Sequence, residues 1–254
     1  MVLLIDRSEL LDQARKRSLT LQMIEKDYVL GWLLHGLQAI KGLIFKGGTA
    51  LSKIYFPEVW RLSEDLDFVF HKDFSLITQS LTEVFQRVES QSGIKMTLRS
   101  QYSNPQYLQL KIQYQAILGK NWIKVDVTKE KAFEVRSENL KRTFSDYPST
   151  KITVESPEEI AAQKLRALLE RKKSRDFFDV WKLLDFVDLK HTWELFLEKC
   201  KTKGLEFSLE RMFPADLKEI LEPYWKRELS RLVYPVPELD VVLRDLTDQL
   251  KGIS

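Results

Sequence analysis

The segment Arg61 to Phe68, RLSEDLDF, carries the densest chemistry in the chain. Read as a strand, whose side chains alternate between faces, it puts Arg61, Ser63, Asp65 and Asp67 on one side and Leu62, Leu66 and Phe68 on the other. At roughly 3.3 Å per residue the two aspartate Cα atoms stand about 6.5 Å apart, so both carboxylates can reach hard divalent cations such as Mg2+. The ordinary reading of an isolated D-x-D is a solvated strand face with Arg61 offsetting the acids. Two further features weigh against it. Gly47 and Gly48 lie between the apolar run Leu43 to Phe45 and a helix start at Thr49, where free backbone N–H groups can receive a phosphate. KGGTALSK lacks the spacing of a P-loop, which excludes a Walker site. Asp126, the central polar residue of IKVDVT, adds a third carboxylate, and Glu130 takes its place if the register differs. Three carboxylates beside a phosphate cradle suit two-metal chemistry, in which one ion activates a hydroxyl and the other steadies a triphosphate. The competing account of Asp126 is an exposed strand residue paired with Lys111 or Lys124.

The elements that must position these residues follow from hydrophobic period. Residues 8 to 40 read as one helical block, with apolar residues at three- and four-residue steps. Leu43 to Phe45 is a short strand, and the helix opened at Thr49 is stopped by Pro57. Tyr107 to Ala116 alternates strictly, with Leu108, Leu110, Ile112, Tyr114 and Ala116 on one face and Gln109, Lys111, Gln113 and Gln115 on the other. Ile123, Val125 and Val127 repeat that pattern. Ser156, Pro157, Glu158 and Glu159 form a capping-box helix start, after which strand-like alternation gives way to helical spacing. The expected organisation is an α+β domain over 1–155 and a helical domain over 156–254 packed on it.

The chain has 254 residues, 40 Lys and Arg against 37 Asp and Glu, and 44% apolar residues, the balance of an ordinary globular protein. One cysteine, Cys200, excludes an internal disulfide and a cysteine-based zinc site. His35, His71 and His191 lack ligand spacing. Trp181, Trp193, Tyr224 and Trp225 fall at helical spacing and read as core. No apolar run approaches the roughly 20 residues of a membrane span, and the N-terminus lacks a signal-peptide pattern. The expected location is cytoplasmic, without a membrane partner. A net charge of +3 permits a nucleotide or nucleic-acid partner without requiring one.

Four blocks carry a resemblance: EKDYVLGWLL at Glu25 to Leu34, FKGGTALSK at Phe45 to Lys53, RLSEDLDF, and AAQKLRALLERKKSRDFFDVW at Ala161 to Trp181. In this order they resemble the AbiEii/AbiGii toxin family of nucleotidyltransferases, and the match covers most of the chain. The resemblance implies a DNA-polymerase-β-like core, a mixed sheet with flanking helices, followed by a helical C-terminal region. It implies an NTP substrate, Mg2+ or Mn2+, and transfer of NMP to an acceptor hydroxyl, a tRNA 3' end or another RNA, so that translation is inhibited. It also implies a cognate antitoxin. Carried over residue by residue, Gly47, Gly48 and Thr49 fall on the phosphate-binding turn, with Lys53 closing that nucleotide-binding block. Ser63, Asp65 and Asp67 fall on the metal-binding motif, with Ser63 where some relatives carry a modified serine. Lys164 with Asp176 or Asp179 falls on the later catalytic motif, whereas Asp126 follows from the general fold. The alternatives are a nucleotide- or RNA-binding module without turnover, and nucleotidylation or phosphorylation of an antitoxin or host protein.

The later motif needs a physical test. On one straight helix Lys164 would stand about 18 Å from Asp176 and about 22 Å from Asp179, too far to share one phosphate. A break at Arg171 to Ser174, with Ser174 as the next N-cap, would bring them together. Otherwise Lys164 is a solvated residue whose loss costs less than about 0.5 kcal/mol.

Overall fold

Capping decides where the first helices run. Asp6 accepts from the Ser8 amide at 2.9 Å and opens α1, Arg7–Arg17. Ser18 then turns left-handed at φ 53°, and the Thr20 hydroxyl accepts from the Met23 amide to open α2, Leu21–Leu37. The expected single block from 8 to 40 is therefore two helices, because the turn at Ser18 and the Thr20 cap interrupt a continuous apolar pattern. The computed structural model describes residues 5–58 and 61–252, in two compact units, Met1–Glu155 and Ser156–Ser254.

In the first unit β1, Ile44–Lys46, leads into α3, Gly47–Ala50, which continues as a π-helical turn over Leu51–Tyr55. Then follow β2 (Asp65–Val69), α4 (Ser75–Ser92), β3 (Lys95–Asn104), β4 (Tyr107–Ala116), β5 (Gly119–Thr128), β6 (Val135–Asn139) and β7 (Lys151–Glu155). They form one seven-stranded mixed sheet of order β3-β4-β5-β2-β1-β7-β6. β3, β4 and β5 are an antiparallel meander. β2 pairs parallel with β5 and antiparallel with β1, which pairs parallel with β7, and β6 closes the far edge antiparallel to β7. The mixed sheet with flanking helices agrees with the fold expected from the sequence.

β2 begins at Asp65 and not at Arg61. Arg61 is buried and its Nη1 donates to the Leu62 carbonyl at 3.0 Å, so the polar start of RLSEDLDF is irregular backbone and not an exposed strand face. From Asp65 onward the alternation holds: Leu66 and Phe68 are fully buried, as are Ile123, Val125 and Val127 on β5. Each such side chain is worth roughly 1.5–3 kcal/mol when withdrawn from water. A one-residue slip would expose all of them and bury the aspartates, so core packing fixes the register of the acids.

The second unit holds α5 (Pro157–Glu170), α6 (Ser174–Leu183), α7 (Leu189–Thr202), α8 (Leu209–Met212), α9 (Leu217–Leu229) and α10 (Leu239–Lys251). Ser156 Oγ accepts from the Glu159 amide at 3.1 Å with Pro157 in the first turn, as the expected helix start requires. Glu159 itself turns inward to Lys199 of α7 at 2.6 Å, both side chains buried. Among the described residues no helix is long and apolar enough to cross a membrane.

Candidate active site

The register of β2 on β5 places Asp67 directly beside Asp126, and Asp65 beside Lys124. Because parallel partners share a face, Asp65, Asp67, Lys124 and Asp126 all project from the side opposite the buried Leu66, Phe68, Val125 and Val127. The Lys124 ammonium lies 2.8 Å from Asp126 Oδ2 and 3.5 Å from Asp65 Oδ2. Burial opposes its charge, but Asp126, Asp65 and Asp67 together outweigh that and hold its pKa above the ordinary lysine value. Burial raises the Asp65 carboxyl above its ordinary value, and the proximity of Asp126 adds to this, against the pull of Lys124 and Lys26.

The other oxygen of Asp126, Oδ1, accepts from Tyr107 Oη at 2.6 Å and from Gln109 Nε2 at 3.1 Å. Burial and then the bond to Asp126 push the Tyr107 phenol up to about 12, so it stays a donor at neutral pH. Tyr107 and Gln109 escape a reading of the sequence because their contact depends on the register between β4 and β5. The alternation of Tyr107 to Ala116 nonetheless marks Gln109 as pointing away from the core.

Among the described residues no three His, Cys, Asp or Glu side chains converge as a cage for a metal ion. The expected trio of Asp65, Asp67 and Asp126 is therefore a row of carboxylates with a lysine between two of them, not a preformed three-carboxylate cage. The pairing of Asp126 with Lys124, weighed from the sequence, is present together with its place beside Asp67. Asp126 holds the strand position beside Asp67, and the Glu130 carboxylate borders the row, 3.3 Å from the ammonium of Lys46, the β1 partner of Asp67.

The glycine turn packs on this row. Gly47 has φ +78°, and a Cβ there would stand 2.6 Å from Asp67 Oδ2, so only glycine allows both the backbone turn and the aspartate. A Cβ on Gly48 would approach Arg61 Nη2 at 3.1 Å and Ser63 Oγ at 3.5 Å. The Thr49 hydroxyl donates to the Asp65 carbonyl. Gly47, Gly48, Thr49, Ser63, Asp65, Asp67 and Asp126 are thus gathered in one neighbourhood.

Lys53 is placed elsewhere. Its side chain is 1% exposed and its ammonium meets Asp27 Oδ2 at 2.8 Å and Tyr147 Oη at 3.4 Å. Burial lowers its pKa, opposed by Asp27. The position is that of an interior ion pair joining the π-helical turn to α2, which corrects the expectation of a nucleotide-facing ammonium. It also accounts for Asp27 in EKDYVLGWLL. Gly31 of the same block lies against Tyr147, where a Cβ would meet the ring carbons at 2.3 and 2.6 Å.

In the second unit α5 ends at Glu170, and α6 starts at Ser174. Lys173 is the N-cap, with no side-chain bond, so Ser174 is the first helical residue and not the cap. The break brings Lys164 Nζ to 3.3 Å from Asp176 Oδ1 and 3.0 Å from Asp179 Oδ2. Arg171 adds a two-point contact to Asp176, through Nε at 2.7 Å and Nη2 at 3.2 Å. Burial would raise the Asp176 carboxyl, but Lys164 and Arg171 hold it below the ordinary range. Lys164 is therefore no solvated residue. Lys164→Ala leaves the fully buried Asp179 without this ammonium, and the expected loss is about 3 kcal/mol. Chemical denaturation measures it, and a loss under about 0.5 kcal/mol would restore the solvated reading.

A family profile described as "Nucleotidyl transferase AbiEii toxin, Type IV TA system" matches residues 37–248. No curated protein matches the sequence. Among solved structures the chain is similar to MenT4, a nucleotidyltransferase toxin from Mycobacterium tuberculosis H37Rv, with a TM-score of 0.72 and 18% identity over 98% of this chain and 89% of that one. It is also similar to JHP933 from Helicobacter pylori, with a TM-score of 0.61 and 20% identity over 92% of this chain and 93% of that one. At these identities the likeness is one of fold.

Proposed function

Since the chain belongs to the AbiEii family of nucleotidyl transferase toxins of type IV toxin–antitoxin systems, we propose that it transfers NMP from an NTP to the 3'-hydroxyl of an RNA, a tRNA in particular, and so inhibits translation. The observation that carries this reading is the packing of Gly47 directly against Asp67, whose strand neighbour is Asp126. A turn that lets phosphate approach the backbone is thereby joined to a row of acids.

The donors suit Mg2+ or Mn2+, since all are hard carboxylate oxygens and Mg2+ is commonly held by one or two carboxylates plus substrate phosphates rather than by a full protein cage. Asp65 and Asp67 would hold the ion, with Asp126 beside them as a third oxygen donor. The chemistry supplied there is neutralisation of charge on the triphosphate and the departing pyrophosphate. In this reading Gly47, Gly48 and Thr49 offer the backbone to the phosphates, with Ser63 beside Gly48. Lys124 keeps the Asp65 and Asp126 carboxylates in place before substrate arrives. The catalytic assignment of Lys164, Asp176 and Asp179 rests on the family motif.

The test is incubation of purified protein with Mg2+, each α-labelled NTP in turn, and total cellular RNA. Label in RNA of tRNA size, absent when the terminal 2',3'-diol of the RNA is first cleaved to the dialdehyde with periodate, is the expected result. Label in protein alone would move the activity to nucleotidylation of a protein, and nucleotide binding without label transfer would leave a binding module.

A further inference from the structure

We propose that the sheet face running from Asp126 to Trp122 seats the single-stranded 3' end of the acceptor RNA, with one of its bases stacked on the Trp122 indole. The inference rests on the nucleotidyl-transfer reading and adds to it a surface for the acceptor.

Trp122, Lys124 and Asp126 are alternate residues of β5 and share its polar face. Trp122 is 37% exposed, although Ile123, the next residue, is fully buried in the core. Lys111 Nζ stands 4.1 Å from the ring centroid and Lys26 Nζ 5.1 Å from it. Across β4, Gln109, Lys111 and Gln113 are the partners of Asp126, Lys124 and Trp122. One strand further out Tyr102 is the partner of Gln109, 59% exposed, with its ring 6.4 Å from that of Tyr107. Two exposed aromatic rings with Lys111 and Lys124 on one sheet face, and Lys26 of α2 beside Trp122, are a composition that suits unstacked bases and a phosphate backbone. A stacked base exceeds a partly exposed cation–π contact in strength, so its arrival frees the Lys111 ammonium for a phosphate.

Strand order says which substrate belongs here. The glycine turn follows β1 on one flank of Asp65 and Asp67, while β5 and β4 lie on the other. In phosphoryl-type transfer the attacking and leaving oxygens stand roughly in line on opposite sides of the phosphorus. With the triphosphate at the glycine turn, the attacking hydroxyl comes over β5 and β4. Trp122 is four residues, about 13 Å along the strand, from Asp126, a span that the last nucleotides of a strand can cover.

The experiment is fluorescence anisotropy with a labelled single-stranded RNA bearing a free 3'-hydroxyl, without NTP, so that binding is read without turnover. Trp122→Ala is expected to weaken RNA binding about tenfold, and Trp122→Phe to stay within about threefold, with NTP affinity unchanged in both. Trp122→Leu, which keeps apolar volume in the strand, gives the same loss and stands in if the alanine variant melts early. Lys111→Ala should lower the salt dependence of RNA binding by about one phosphate contact. Unchanged RNA affinity in the Leu and Ala variants overturns the proposal, as does wild-type protein that binds no RNA. A loss of NTP affinity instead would put the nucleotide's own base on the indole and overturns it equally. Wild-type protein that binds RNA through Trp122 yet transfers no label would remove the transfer reading and leave this surface standing.

Discussion

Asp65→Asn and Asp67→Asn are each expected to lower nucleotidyl transfer by at least about a thousandfold, the scale set by loss of the charge that holds a metal-bound phosphate. Asp65→Asn should do so without loss of stability. Burial, with Asp126 nearby, raises the Asp65 pKa above 3.8 despite Lys124 and Lys26. The folded state therefore holds that proton more tightly than the unfolded chain. Its stability contribution falls as pH rises from about 3.8 through the raised folded value, and it stays lower at neutral pH. An uncharged amide removes that cost, so the melting temperature of Asp65→Asn at neutral pH should equal or exceed that of the wild type. Transfer assays and thermal melting on the same samples decide it. Full activity in both variants would remove these carboxylates from the reaction, and loss of activity together with an early melt would make them structural.

Gly47→Ala carries the second large effect. Its backbone is left-handed at φ +78°, and the added Cβ would sit 2.6 Å from Asp67 Oδ2. The left-handed conformation alone costs a side chain roughly 1–2 kcal/mol. Relief of the contact moves the Asp67 carboxylate, and a displacement of about 1 Å at a reacting site commonly costs a hundredfold in rate. The expected outcome is at least a hundredfold loss of transfer with a lowered melting temperature. Gly48→Ala is the control: its Cβ meets the far end of the Arg61 side chain at 3.1 Å, which can yield. Equal activity of the two variants would deny Gly47 its special place.

The parts of this site legible from sequence are those set by local pattern. The alternation of Tyr107 to Ala116 and of Ile123 to Val127 identifies strands whose buried faces are those observed. The Ser156 cap and the break after Glu170 are likewise local signals. Asp65, Asp67 and Asp126 can be chosen from such patterns because the core fixes their faces. Contacts that depend on long-range register cannot: Tyr107 and Gln109 on Asp126, or Lys53 against Asp27 from another helix. β3 and β6 are edge strands with mostly exposed residues, so they lack the alternation that marks a half-buried strand. For α4 the signal is present in Ile77, Leu81, Val84 and Val88 at helical spacing. The extended look of RLSE misleads because Arg61 is buried by its contacts near the glycine turn, which no local period reveals.

Which phosphate leaves the NTP for the acceptor separates nucleotidyl transfer from phosphotransfer. Parallel reactions with α-labelled and γ-labelled NTP, Mg2+ and RNA should place the α label in RNA and none of the γ label. Pyrophosphate should be released in equal amount to the NMP incorporated, because the acceptor oxygen bonds to the α-phosphorus as the bond to the β-phosphate breaks. Transfer of the γ label, to RNA or to protein, with NDP as product would contradict the account and make the protein a phosphotransferase.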